Sequence, residues 1–178
     1  MFSVRARFFI AALKRMINTR AVTDAMVMIL DTSALFSMED LPQEDVVIPA
    51  GVADELKKYN DRRLDRWGDL LRISDCTELS LNKVKDAASK SGDAGRLSNV
   101  DVSVIALAVD LGGVVVTDDF SIQNVCKIIG VEYVPVATEG IKRVEKWNYR
   151  CSGCGKWYKE SMRDCPICGS SMRAHRKR

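Results

Sequence analysis

The chain has 178 residues, of which 47% are hydrophobic and 29% charged, enough for one domain of ordinary size with a small appendage. No stretch approaches the roughly 18 apolar residues of a membrane span, and the composition excludes a wholly disordered or collagen-like chain. The formal net charge of +3 conceals an uneven distribution: residues 1–25 carry +4, residues 26–140 carry −9 and residues 141–178 carry +8. An acidic body followed by a basic segment fits two tasks, since clustered Lys and Arg attract polyanions, although a solvated charged tail gives the same count.

The first stretch, MFSVRARFFIAALKRM, combines a basic start with the apolar run FFIAAL. That run is too short for a secretory signal, and Lys14 and Arg15 follow it at once. Residues 1–25 are therefore read as a basic extension, with Met26 or Met28 as alternative initiators. From Met26 the continuous apolar run MVMILD predicts a strand buried on both faces of a parallel sheet, with Asp31 at its C-terminal end. Val46, Val47 and Ile48 predict a second strand, leading through Pro49 into a helix that carries Glu55. Leu64, Trp67, Leu70 and Leu71 fall at helical spacing, TELSL alternates as a possible strand, and NKVKDAASKS predicts a helix capped by Asn82. The segment SNVDVSVIALAVDLGG has Ser98 as N-cap, Asp101 in a capping-box position and Gly112 and Gly113 as stop. VVVT then predicts a buried strand ending at Asp118 and Asp119, followed by a helix between Ser121, its candidate cap, and Gly130; VEYVPV predicts a last strand. Strands alternating with helices make the fold class α/β with a parallel sheet.

Ligands of open α/β sheets sit outside the C-terminal strand ends, where Asp31, Asp118 and Asp119 project. Glu55 and Asp101, each near a helix start, can face the same crevice. Asp101 is equally explained as a helix N-terminal acid, Glu55 as a solvent-facing residue, and one of the Asp118 and Asp119 pair as a cap. Asp31 has no packing reason to follow a buried strand. Four carboxylates together raise one another's pKa, and a hard divalent cation removes the conflict; Mg²⁺ or Mn²⁺ there can polarise a phosphoryl oxygen.

ILDTSALF, Glu55, SNVDVSVIALA and VVVTDDFSIQNV together resemble a PIN domain, over roughly residues 26–138. The resemblance implies metal-dependent RNA hydrolysis, with Asp31, Glu55 and Asp101 as the first three acids and Ser33 and Thr117 as polar supports. The fourth acid is Asp118 or Asp119. Asn124 stands where some PIN domains carry a further acid, which leaves open whether one or two metals bind.

Four of the six cysteines form two knuckles, Cys151-x-x-Cys154 and Cys165-x-x-Cys168, spacing that predicts a closed structural Zn²⁺ site. A module of this size cannot fold on an apolar core alone, so zinc supplies its stability. Cys76 and Cys126 read as packed small side chains, and thiolate usage points to a reducing cytoplasm. Arg150, Lys156, Trp157, Tyr158, Lys159, Arg163, Arg173 and Arg176 interleave cations with aromatics around the knuckles, a pattern suited to RNA phosphates and stacked bases. Either Trp157 or Tyr158 could instead pack over the metal, and His175 reads as a tail residue.

The predicted layout is an extension (1–25), a PIN-like nuclease domain (26–138), a linker (139–149), a small Cys₄ zinc ribbon (150–172) and a basic tail (173–178). This combination resembles the Nin-one-binding protein family in its short archaeal form. The resemblance implies an endoribonuclease maturing the 3′ end of small-subunit (16S) rRNA, leaving a 3′-hydroxyl and a 5′-phosphate. It also implies as partners precursor rRNA, the pre-ribosomal small subunit and assembly-factor proteins, with no membrane. The alternatives are a toxin-type PIN ribonuclease acting on tRNA or mRNA, and a non-catalytic RNA-binding assembly factor.

Overall fold

In the computed structural model, which describes residues 26–42, 44–59 and 61–177, the apolar run after Met26 forms strand β1 (Val27–Leu30). Met28, Ile29 and Leu30 are fully buried, as a strand covered on both faces requires. β1 is the centre of a parallel sheet with β2 (Asp45–Ile48), β3 (Leu71–Ile73), β4 (Val114–Val116) and β5 (Tyr133–Val134), in the order β3-β2-β1-β4-β5. The chain builds outward from β1 through β2 and β3, then returns to the far side of β1 for β4 and β5. That reversal makes the β1/β4 boundary the topological switch point, where neighbouring connections diverge and leave a crevice at the carboxyl edge.

The connecting helices are α1 (Thr32–Ser37), α2 (Ala50–Lys58), α3 (Arg63–Trp67), α4 (Glu78–Ser91), α5 (Asn99–Leu111) and α6 (Phe120–Ile129). α5 is the helix the sequence marks most clearly. Ser98 and Asp101 form the reciprocal capping box, Val104, Ile105, Ala106 and Leu107 are fully buried, and Gly112 ends the helix at φ +60°. Four local expectations are corrected. Leu71 does not extend a helix but pairs with Val46 in β3, because α3 stops at Trp67 before Gly68. TELSL is not a strand: Thr77, held by the Asp110 carboxylate at 2.6 and 2.8 Å, caps α4 in place of Asn82. The helical period through Ser80, Val84, Ala87, Ala88 and Ser91 faces the core and overrides the short alternation. Asp119 rather than Ser121 caps α6, and the turn after Asp31 winds into the unforeseen α1.

The C-terminal segment forms an antiparallel sheet of β6 (Trp147–Cys151), β7 (Trp157–Tyr158) and β8 (Met172–Arg176), with β6 central. Trp147 pairs with Arg176, so this sheet reaches past 150–172 at both ends. It is fastened to the body: the Tyr149 hydroxyl donates to the Gly92 carbonyl at 2.7 Å. Gly92 lies at φ +85°, and a Cβ there would stand 2.7 Å from the Trp147 carbonyl oxygen, so only glycine admits the ribbon this closely. Among the described residues no helix is long and apolar enough to cross a membrane. Residues 1–25 and Arg178 lie outside the described residues.

Candidate active site and metal centre

Asp31 leaves β1 at the switch point and caps α1, its Oδ1 accepting from the Thr32 amide at 2.7 Å. Its Oδ2 accepts from the Ser33 hydroxyl at 2.6 Å and from the Thr117 hydroxyl, at the end of β4, at 2.8 Å. The carboxylate is therefore clamped between the two central strands. It is 4% exposed, and burial pushes its pKa up against these donors. Ser33 and Thr117, the polar neighbours implied by the PIN resemblance, thus both donate to Asp31. Thr32 was missed: its hydroxyl donates to Glu55 Oε2 at 2.6 Å, joining the acid on α2 to the turn that holds Asp31.

Asp101 enters from the first turn of α5. Its Oδ2 accepts from the Ser98 amide at 2.6 Å, yet removal from water raises its pKa, with the negative charges of Asp31 and Asp119 adding to the rise. Asp119 accepts from the Ser121 amide at 2.6 Å, while its own amide donates to Thr117 Oγ1 at 3.0 Å. One buried threonine hydroxyl therefore touches both Asp31 and the Asp119 backbone.

The two neighbouring aspartates separate cleanly. Asp118 turns to the loop after β5, where Oδ1 accepts from the amides of Val136, Ala137 and Thr138 and from the Thr138 hydroxyl, each at 3.0 Å. Burial acts to raise its pKa, but these donors win and hold the carboxyl below the ordinary carboxylate range. These bonds make the carboxylate an anchor for that loop. Asn124 also turns elsewhere, bonding Asp93 Oδ2 at 2.7 Å and both backbone groups of Glu145.

The four cysteines converge as the spacing requires. Their sulfurs lie within 4.8 Å of one another, with Cys151 to Cys168 at 3.3 Å and Cys154 to Cys165 at 3.7 Å. Tetrahedral ligands at ~2.3 Å from zinc stand about 3.8 Å apart, so the donor set fits zinc. The amides of Gly153 and Cys154 point at Cys151 Sγ at 3.3 and 3.4 Å. Donation from Ser170 holds the Cys168 thiol down at about 6. The Lys156 amide favours the Cys154 thiolate, yet desolvation and the neighbouring sulfurs push that group up to about 11. Sulfurs this close cannot all ionise without a cation. No three carboxylates among the described residues draw together as tightly.

Trp157 and Tyr158, consecutive in β7, point to opposite faces. The Tyr158 hydroxyl meets Cys165 Sγ at 3.4 Å, whereas Trp157 is 52% exposed, with His175 edge-on at 5.1 Å and the Arg150 guanidinium 5.6 Å from its ring. Trp157, His175, Arg176, Lys177 and Asn148 line a shallow cleft of about 410 Å³. Lys156, Lys159, Arg163 and Arg173 are exposed as well. His175 is part of β8 and not a loose tail.

A family profile described as the PIN domain of ribonuclease matches residues 28–111. The chain is 33% identical over 171 residues to Ribonuclease VapC1 of Thermoplasma acidophilum, an alignment covering 93% of this chain and 87% of the relative. It is 35% identical over 151 residues to Endoribonuclease Nob1 of Pyrococcus abyssi, covering 82% of this chain and 91% of the relative. With Endoribonuclease Nob1 of Methanothermobacter thermautotrophicus the identity is 41% over 114 residues, 61% of this chain and 67% of the relative. Two of these alignments, at 33% and 35% identity, span most of both proteins, so the chain belongs to the PIN-domain family of endoribonucleases.

Proposed function

We propose that this endoribonuclease matures the 3′ end of small-subunit (16S) rRNA on the pre-ribosomal small subunit, alongside assembly-factor proteins. The observation that supports the reading most is the joining of a carboxylate switch point to a cationic, thiolate-held ribbon in one chain. Asp31, Glu55, Asp101 and Asp119 would hold Mg²⁺ or Mn²⁺: burial raises the pKa of Asp31 and of Asp101, Asp101 also feels the charges of Asp31 and Asp119, and a cation there would offset the cost of keeping these carboxylates ionised. A hard divalent cation supplies charge to a phosphoryl oxygen and acidifies water. The chain's own groups do the rest. Thr32, Ser33 and Thr117 fix the carboxylates in place by donated hydrogen bonds, so no reorganisation is needed when the strand arrives. Arg150, Lys156, Lys159, Arg163, Arg173 and Arg176 neutralise phosphates, and Trp157 offers a ring to an unpaired base. Tyr158 belongs to the zinc cluster rather than to the RNA face in this reading.

A toxin-type ribonuclease acting on tRNA or mRNA is the second reading, favoured by the alignment with Ribonuclease VapC1 over 93% of the chain. Membership of an endoribonuclease family leaves the non-catalytic scaffold without support. The test is cleavage, with Mn²⁺, of a precursor 16S fragment spanning the mature 3′ end, beside tRNA and an unrelated mRNA, by the wild type and Asp31→Asn. The proposal expects one cut at the mature end and a loss of at least about 100-fold in the variant. Equal cutting of tRNA or mRNA selects the toxin reading, and equal activity of the two proteins overturns the site.

A further inference from the structure

A cleft of about 540 Å³ lies where the ribbon meets the body, lined by Arg96 and Phe120 on the body side and by Lys142, Arg143, Trp147 and Arg176 opposite. Arg96 is held from three directions. Its guanidinium lies 4.3 Å from the Trp147 ring centroid, its Nε donates to Ser121 Oγ at 3.3 Å, and Asp93 Oδ1 stands 3.9 Å from that Nε. Asp93 is wholly buried; its Oδ2 accepts from Ser91 at 2.5 Å and Asn124 at 2.7 Å, but Oδ1 has no hydrogen-bond partner. A buried charge left this way acts on the nearest cation through a low-dielectric interior, fixing Arg96 without consuming its donors.

The cleft is linked to the carboxylates through Ser121. Ser121, which receives the Arg96 hydrogen bond, gives its amide to Asp119, so one residue separates the guanidinium from an acid of the switch point. Phe120, adjacent in sequence to Asp119, is 54% exposed on the same rim. On the far wall Glu145 engages Arg143 and Arg176 at 3.2 and 2.9 Å, leaving the lining net positive beside a body of charge −9. An exposed ring beside a row of cations is the arrangement that tracks single-stranded nucleic acid, with stacking on the base and charge on the backbone.

We propose that this junction cleft is the channel an RNA strand follows from the carboxylates to the ribbon, with Arg96 the positioning residue for a phosphate near the scissile one and Phe120 the ring under its base. The inference rests on the RNA-cleaving reading above and adds a path for the strand. The guanidinium fits a phosphate by paired donors, and its anchoring by Trp147, Ser121 and Asp93 removes the rotamer cost that a free surface arginine would meet on binding.

The test is fluorescence anisotropy with a labelled single-stranded RNA 12-mer, using the full chain with Asp31→Asn to stop cleavage, across a salt series. Arg96→Gln is expected to weaken binding about tenfold and to lower the log–log salt slope by about 0.7, the value of one phosphate contact on a single strand. Arg96→Lys restores the slope. Lys142→Ala with Arg143→Ala, whose side chains are 86% and 75% exposed, keeps the Arg96 packing intact and lowers the slope by about 1.4. Phe120→Ala weakens binding about tenfold with the slope unchanged. Wild-type affinity and slope in the Lys142/Arg143 double variant overturn the channel, even where Arg96→Gln binds poorly through misfolding. Cleavage by the otherwise unaltered chain is read in parallel. Cleavage with unaffected binding by the cleft variants sinks the channel alone; no cleavage of any RNA, with the slopes falling as stated, sinks the nuclease reading alone.

Discussion

Asp118 and Asp119 are adjacent in sequence but bond different partners, which makes their separate amidation a sharp test. Asp118→Asn keeps one acceptor oxygen but removes the charge that the Val136, Ala137 and Thr138 amides and the Thr138 hydroxyl now meet. Hydrogen bonds to a charged group are worth ~1.5–3 kcal/mol each when shielded; this group is partly open to solvent, so the total loss is about 1–2 kcal/mol. For a chain of this length that lowers Tm by about 3–6 °C. The sign with pH follows from the lowered pKa of Asp118. Its stabilisation is complete above the unfolded-state value near 3.9 and is lost as pH falls through the lower folded-state value. The gap between wild type and Asp118→Asn is therefore constant from pH 6 to 8 and closes only below about pH 4. Asp119→Asn behaves in reverse: Asn caps a helix as well as Asp, so Tm moves by less than about 1 °C, while RNA cleavage falls at least about 100-fold. Differential scanning fluorimetry and a cleavage time course on both variants decide the matter. Full activity in Asp119→Asn, or inactivity of Asp118→Asn at unchanged Tm, refutes the division of roles.

Cys165→Ser should abolish binding of one zinc per chain, read by atomic emission, and unfold the ribbon while the parallel-sheet body retains its own transition, since zinc contributes ~10–16 kcal/mol to modules of this kind. Retention of zinc at one equivalent would contradict the four-thiolate site. Thr32→Val conserves shape but removes the donor to Glu55 Oε2, and it is expected to lower kcat about 10–100-fold with little change in RNA affinity. A rise in KM at constant kcat would place Thr32 in RNA binding instead.

The parts of the fold most readable in the sequence are those where one physical demand dominates. MVMILD and VVVT are strands because β-branched and apolar runs bounded by acids suit a sheet covered on both faces. Ser98, Asp101 and Gly112 mark both ends of α5 through backbone groups that must be satisfied locally. Where two periods compete, tertiary context decides: TELSL alternates, yet Asp110, more than thirty residues away, holds Thr77 as a cap and the helix wins. Asp118 against Asp119 was undecidable for the same reason, because the donors that claim Asp118 come from the loop after β5. Tyr158 against Trp157 turns on the alternation of a strand only two residues long. Asp93 gave no signal, and the bonding of Asn124 to Asp93 and Glu145 gave none either, since a polar residue buried by contact with a distant segment looks in sequence like any loop or helix polar group.

Asp31, Glu55, Asp101 and Asp119 are expected to act together on a hard cation, and Mn²⁺ binding measures that without a substrate. Calorimetric titration of the zinc-loaded chain should give saturable Mn²⁺ binding that Asp31→Asn and Asp119→Asn each weaken at least about tenfold and Asp118→Asn leaves unchanged. Equal Mn²⁺ affinity in the wild type and all three variants would contradict that joint action.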